Sequence, residues 1–136
     1  MPGAGTTPAL ATPQVAWQVR TFSAAPAQVA QARHFLASLL GTSALRDDAV
    51  LCLSEIATNA VRHSASRHPG GTFEVRATVV GGGLRVEVSD AGGPWPGEPE
   101  PGVEPGHGLA IVAALASRWG IDGDDGARTV WFEIAT

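Results

Sequence analysis

One long helical repeat of apolar residues constrains the fold of this chain more than any other feature. Between residues 43 and 64, apolar side chains recur at spacings of three and four: Leu45, Ala49, Cys52, Leu53, Ile56, Ala60 and Val61. This spacing predicts a long helix with one buried face. The other segments are interpreted around that helix.

A row of polar side chains runs along the edge of its apolar face. Glu55, Asn59 and His63 lie one helical turn apart, so they share one side of the helix. A carboxylate can orient or accept a proton, and an amide oxygen can bind a hard cation. The alternative is an ordinary pair of residues four apart on a solvated face.

The remaining segments alternate between helix and strand patterns. A loose alternation predicts an edge strand over residues 15–22, and a helix follows to about Leu40, where Gly41 ends it. Alternating apolar residues then predict an antiparallel hairpin connected by three glycines. The other predicted elements are strands at 73–79 and 84–88, an irregular segment at 90–106, a helix at 109–119 and a strand at 129–134.

This order predicts an α+β fold, a two-layer sandwich with three helices on one face of a mainly antiparallel or mixed sheet. The length of 136 residues suits a single domain, and 44% hydrophobic residues against 16% charged ones favour a globular chain. Residues 1–14 are uncharged and rich in proline and small residues, so we expect a disordered leader before a domain at 15–136.

Composition argues against several classes of function. A net charge of −4 disfavours nucleic-acid binding, and no stretch is apolar enough to span a membrane, so we expect a cytoplasmic protein. All nine basic residues are arginine, so no lysine is present for a phosphate-binding loop. Cys52 is the only cysteine and lies on the apolar helix face, which favours a buried structural thiol.

Two further motifs carry candidate chemistry. Asp90 ends a predicted strand next to Gly92, where a carboxylate and exposed backbone can bind the edge of a heterocycle; a simple turn is the alternative. Gly106-His107-Gly108-Leu109 opens the next helix, whose N–H groups attract anions such as phosphate. For His107, an exposed loop position is the alternative.

In combination, these motifs resemble the GHKL ATPase superfamily, which includes histidine kinases, gyrase and heat-shock ATPases. The resemblance is greatest to the small anti-sigma-factor serine/threonine kinases of actinobacterial type. It covers residues 44–134 through four phrases: LCLSEIATNAVRHS, VEVSDAGGP, GHGLAIVAALASRWG and RTVWFEI.

The resemblance implies a Bergerat-type site for ATP and Mg²⁺. Glu55 is then the catalytic base toward the phosphoryl acceptor, Asn59 binds Mg²⁺, and Asp90 binds the adenine amino group. Residues 93–105 form the ATP lid, and His63, with Arg62 part of an Asn-Ala-x-x-His pattern, packs between helices. The other expected contacts are Gly92 and Thr129 with the base, and Gly106, His107, Gly108 and Leu109 with the phosphates.

Three motifs depart from the pattern of the family that the chain resembles. Pro94 and His107 replace a glycine and a frequent arginine in the two glycine boxes, and Ala127-Arg128-Thr129 replaces Gly-Lys-Thr. These changes bear on nucleotide affinity more than on fold.

The resemblance also implies a regulatory role. We expect a kinase that phosphorylates an anti-anti-sigma partner and binds a sigma factor, and that forms a homodimer through the N-terminal strand and helix. An ATP-sensing module without transfer activity is the alternative. A detached histidine-kinase catalytic domain fits less well, because no helix pair with a phospho-accepting histidine precedes the site.

Overall fold

The protein is described by a computed structural model for residues 16–63, 70–91, 107–123 and 127–135. Three helices and five strands occur in these ranges. In chain order they are β1 (Gln18–Ser23), α1 (Pro26–Leu40), α2 (Arg46–His63), β2 (Thr72–Val80), β3 (Gly83–Asp90), α3 (His107–Leu115), β4 (Arg118–Gly123) and β5 (Arg128–Ile134).

The five strands form one antiparallel sheet in the order β1-β2-β3-β5-β4. The predicted hairpin is confirmed: β2 and β3 pair through a turn at Gly81 and Gly82, both with positive φ. Positive φ at both central residues is the geometry of the tight hairpin turn that glycine favours.

The helices cover one face of this sheet, which confirms the predicted α+β sandwich. Helix α1 contacts β1, α2 contacts β2, β3 and β5, and α3 contacts β4, so α2 lies over the centre with a helix on either side. The core between the layers includes the fully buried Leu53, Phe73, Val86 and Phe132.

Local signals set the ends of the first two helices. Pro26 starts α1, and Gly41, at φ 54°, donates its N–H to the carbonyl of Ala37, as its sequence position predicts. Ser43 accepts a hydrogen bond from the Leu45 N–H just before α2, at 3.1 Å. Asp47 and Asp48 then occupy the first turn, where carboxylates stabilise a helix dipole.

The end of α3 differs from the prediction. The apolar pattern predicts a helix through Trp119, but α3 ends at Leu115, and Arg118–Gly123 forms the edge strand β4. Trp119 pairs with Phe132 of β5, and the Ser117 N–H donates to the carbonyl of Glu133 at 2.7 Å. Pairing with a strand farther along the chain therefore overrides the local helical pattern.

The outer face of the sheet carries a network of charged and aromatic side chains. Arg85 donates to Glu133 at 2.7 Å and to Glu87 at 2.9 Å, and its guanidinium lies 4.2 Å from the ring centre of Trp131. Burial alone lowers the pKa of Arg85, but the bonds to Glu133 and Glu87 outweigh burial and raise it.

No helix within the described ranges is long and apolar enough to cross a membrane. The predicted leader at 1–14 lies outside the described residues.

Candidate functional site

Helix α2 presents different residues to its two neighbours. Ser54, Thr58 and Arg62 line depressions shared with α1, whereas neither Glu55 nor Asn59 lines them. Successive residues are rotated by about 100° around a helix, so Asn59 lies beside Cys52 and Ile56, away from Ser54 and Thr58. The predicted polar row therefore occupies a part of α2 that α1 leaves uncovered.

The side chains of Glu55 and Asn59 are half-buried and have no polar partner in the described part of the chain. Within residues 16–63, 70–91, 107–123 and 127–135, neither forms a hydrogen bond or ion pair through its side chain. A half-buried carboxylate and amide one turn apart supply proton-accepting and cation-binding oxygens together. The structure thus brings these two predicted site residues together, while His63 is the last residue of α2.

Cys52 lies one turn before Glu55 and Ile56 and is fully buried. Burial, together with the negative charges of Asp48 and Glu55, raises the pKa of its thiol from 9.0 to about 11. A protonated, enclosed thiol is a poor nucleophile, and the buried position predicted for Cys52 is confirmed.

We expect Cys52 to react with a thiol reagent such as iodoacetamide at least about a hundredfold more slowly in the native protein than in denaturant, because thiolate is scarce and enclosed.

The free energy of unfolding should also fall as pH rises from about 9 to about 11, since the unfolded chain releases the thiol proton near 9.0. Cys52→Ala should lack this additional pH dependence; an identical slope in both proteins would contradict the assignment.

Asp90 closes β3 on the face of the sheet that the helices cover. Val86 and Val88 alternate with outward residues on the same strand, and the Asp90 side chain is only 3% exposed. Its partner in the β3–β5 register is Arg128, whose guanidinium Nη2 lies 3.6 Å from the Asp90 Oδ2. The candidate adenine-binding carboxylate therefore sits in a buried ion pair.

Thr129 lies in a different environment from Asp90. It is the register partner of Ser89, and the two hydroxyl oxygens are 2.8 Å apart. Because side chains alternate along a strand, this pair faces the outer side of the sheet, and Arg128 is the β5 residue beside the Asp90 carboxylate. A contact of Thr129 with the purine stays a prediction.

His107 and Gly108 are the first two residues of α3, which places the predicted phosphate-binding motif at a helix N-terminus. The unpaired N–H groups of a first turn favour anions. Leu109 is half-buried and packs against the core, so a phosphate contact at this position falls to its backbone. Gly92, Gly106 and the predicted lid at 93–105 lie outside the described residues.

The donor set of Asn59 fits a phosphate-bound Mg²⁺. In the ranges that the structure describes, no group of three or more His, Cys, Asp or Glu side chains is placed to hold a metal. Mg²⁺ takes most of its ligands from phosphates and water and needs one or two protein oxygens. The Asn59 amide supplies one such oxygen.

Arg128 is the site residue that the sequence pattern did not identify. The sequence marks Arg128 only as a departure, because Ala127-Arg128 stands where the family that the chain resembles has Gly-Lys. Its position beside Asp90 depends on the pairing of β3 with β5, which joins residues 38 apart in the sequence.

Comparison with known proteins agrees with the fold. The family profile described as "Histidine kinase-like ATPase domain" matches residues 22–134. No curated protein sequence matches the chain.

The solved structures that share the fold include the following three. The RsbU and RsbW domains of Rv1364c from Mycobacterium tuberculosis match with a TM-score of 0.64 and 24% identity, over 87% of this chain and 32% of that one. The histidine kinase domain of the Erythrobacter litoralis EL346 blue-light activated histidine kinase matches with a TM-score of 0.51 and 21% identity, over 80% and 63%.

The Acinetobacter baumannii histidine kinase AdeS matches with a TM-score of 0.51 and 19% identity, over 90% of this chain and 68% of that one. These similarities concern the fold, and the chain spans about a third of the M. tuberculosis structure. The profile match covers most of the chain, from β1 to the end of β5, and thereby establishes that the protein belongs to the family of histidine kinase-like ATPase domains.

Proposed function

We propose that this protein binds Mg-ATP and transfers the γ-phosphoryl group to a serine or threonine of an anti-anti-sigma partner, and that it binds a sigma factor. The observation that carries the proposal is the half-buried Glu55–Asn59 pair, which has no partner side chain in the described part of the chain. A polar pair held at the edge of a core without internal partners is suited to an external ligand.

Each residue has a distinct task in this proposal. Glu55 accepts the proton of the attacking hydroxyl, Asp90 accepts a hydrogen bond from the adenine amino group, and Asn59 holds Mg²⁺. When bound, Mg²⁺ would neutralise phosphate charge. Gly92 lies beside the base, and Thr129, whose hydroxyl pairs with Ser89 on the outer side of the sheet, contacts the base through a water. The turn of Gly106, His107, Gly108 and Leu109 presents N–H groups to the phosphates.

The buried pair of Asp90 with Arg128 supports the assignment of Asp90. The Arg128 guanidinium lies 3.6 Å from one carboxylate oxygen, and a carboxylate can only accept hydrogen bonds. An acceptor at this position complements the amino group of adenine and opposes the carbonyl of guanine or hypoxanthine.

Two measurements test the proposal. Equilibrium titration with a fluorescent ATP analogue and Mg²⁺ should show saturable binding. Incubation with Mg-[γ-³²P]ATP and a candidate anti-anti-sigma protein should label that partner with an acid-stable phosphate, as phosphoserine and phosphothreonine are. An acid-labile label on histidine would instead indicate a histidine kinase. Absence of nucleotide binding would exclude both kinase assignments.

A second candidate is a nucleotide-sensing module that does not transfer phosphate. His107 favours this candidate, because the family that the chain resembles often has an arginine at this position. Arginine is always charged and so always neutralises phosphate charge. This candidate predicts that Mg-ATP raises the melting temperature while ATP stays intact. Light scattering would show whether the protein, with or without bound nucleotide, is the expected homodimer.

A further inference from the structure

The strand β4 forms one edge of the sheet, and β1 forms the other. Within the described residues, β5 is the only strand that pairs with β4. An edge strand presents a row of backbone N–H and C=O groups with which a further strand can pair. The side chains of β4 therefore decide which strand fits beside it.

The helix-covered side of β4 exposes two large apolar side chains. Trp119 and Ile121 lie opposite the buried Phe132 and Val130 of β5, yet they are 37% and 39% exposed. Helix α3, which contacts β4, has only alanines at its exposed positions between residues 109 and 115. This side of the edge is therefore apolar and uncharged.

The outer side of β4 carries one charge of each sign, four residues apart. The side chain of Arg118 is 67% exposed, although its Nε lies 3.3 Å from Glu133. Asp122 is exposed, and its carboxylate forms no hydrogen bond or ion pair with any described residue. Gly120 lies midway between them under the indole of Trp131, where an added Cβ would come within 2.8 Å of the ring. An aromatic ring over an edge glycine is a known way to stabilise a strand.

We propose that β4 pairs with β4 of a second copy of this chain, antiparallel about a two-fold axis at Gly120. An axis perpendicular to the sheet keeps each side of the strand on the same side of the joined sheet. Arg118 of each copy then lies opposite Asp122 of the other, and Trp119 lies opposite Ile121. The two five-stranded sheets become one continuous sheet.

Every cross-strand pair in this register is favourable. Opposite charges and aromatic–β-branched pairs stabilise antiparallel strands, and symmetry produces each of them twice. Gly120 opposite Gly120 leaves the centre without steric obstruction. A register shifted by two residues in either direction puts Arg118 or Asp122 opposite Gly120, so that no ion pair forms.

The opposite edge lacks this complementarity. Arg20 is the only charged residue of β1, so two-fold pairing of β1 forms no ion pair, and a register centred on Arg20 opposes like charges. A strand of another protein could also meet β4, but a second copy supplies both charges at the matching spacing. The proposed interface differs from the N-terminal strand and helix, and it does not depend on nucleotide chemistry.

Two charge variants test the register. Asp122→Arg gives each edge two arginines, and Arg118→Glu gives each edge two carboxylates. Either variant alone should dimerise at least about tenfold more weakly than the unaltered protein, because like charges then lie opposite each other twice. Mixed together, the two variants are complementary at both positions and should form a heterodimer. Sedimentation velocity over a concentration series measures the affinities, and native mass spectrometry identifies the heterodimer.

Amide hydrogen exchange of the unaltered protein locates the interface without any substitution. Exchange at residues 118–123 should slow as protein concentration rises, whereas exchange in β1 should not change. This measurement decides the question even if Arg118→Glu fails to fold because of its contact with Glu133. Asp48→Arg, an equal charge change on the exposed side of α2, should leave dimerisation unchanged.

Four results would each overturn the inference. They are a monomer at every concentration up to about 1 mM, unweakened dimerisation of Asp122→Arg, a mixture of the two folded variants without heterodimer, and concentration-dependent protection in β1 instead of β4. Dissociation by Arg20→Glu would likewise assign the dimer to the other edge. Nucleotide titration of the same preparation reports on the ATP site separately, so failure of one proposal is distinguishable from failure of the other.

Discussion

Asp90→Asn should lower the affinity for Mg-ATP by roughly tenfold to a hundredfold, because a charge-assisted hydrogen bond to the adenine amino group typically contributes about 1.5–3 kcal/mol. The change keeps the size of the side chain but removes its charge. Equilibrium titration with ATP and with inosine triphosphate, whose base has a carbonyl in place of that amino group, provides the measurement. The preference for ATP over inosine triphosphate should shrink, since an asparagine amide can also donate.

The selectivity ratio distinguishes base recognition from a loss of fold. Asp90 pairs with Arg128 in a buried site, so removal of one charge also destabilises the protein. Arg128→Gln serves as the matched control: it disturbs the same ion pair but leaves the carboxylate in place, and it should largely retain the preference for ATP. If Asp90→Asn leaves both affinities and their ratio unchanged, the purine is bound elsewhere.

Glu55→Gln should reduce phosphoryl transfer to the acceptor by about a hundredfold to ten-thousandfold, with little change in the affinity for Mg-ATP. Glutamine keeps the shape and hydrogen-bonding capacity of glutamate but cannot accept the proton of the attacking hydroxyl. Single-turnover labelling of the acceptor at saturating ATP measures the rate of transfer, and a parallel titration measures binding.

Asp48→Asn provides a control on the same helix. Asp48 lies seven residues before Glu55, is exposed, and contributes to the negative charge around Cys52, so its neutralisation tests a general electrostatic effect. It should leave the transfer rate within a few-fold of the unaltered protein. Equal rates in Glu55→Gln and the unaltered protein would exclude Glu55 as the base; equal losses in both variants would point to net charge instead.

Local patterns in the sequence predicted most of the fold. Alternation through Phe73, Val75 and Ala77, with glycines after Val80, specifies a hairpin because strand faces and turn geometry are local properties. Trp119 shows where this reasoning stops. The run from Leu109 onward is apolar enough for a helix, and only pairing with β5 makes its final residues a strand.

The candidate site likewise has one part that the sequence predicts and one part that depends on strand pairing. Glu55 and Asn59 are four residues apart on one helix, so their proximity follows from helical geometry and is visible in the sequence. The neighbour of Asp90 is different, because it depends on which residue of β5 lies opposite the end of β3. That register brings Arg128 to the carboxylate and turns Thr129 toward Ser89.

The central position of α2 has a thermodynamic consequence. The same helix bears Glu55 and Asn59 and buries Leu53, Ile56 and Ala57 in the core, so binding at this pair is linked to unfolding of the whole domain. A ligand that binds only the folded chain raises the free energy of unfolding as its concentration exceeds its dissociation constant. Melting temperatures measured over a range of Mg-ATP concentrations should therefore rise as the site saturates, and a constant melting temperature at saturation would mean that nucleotide binds the folded and unfolded chains equally.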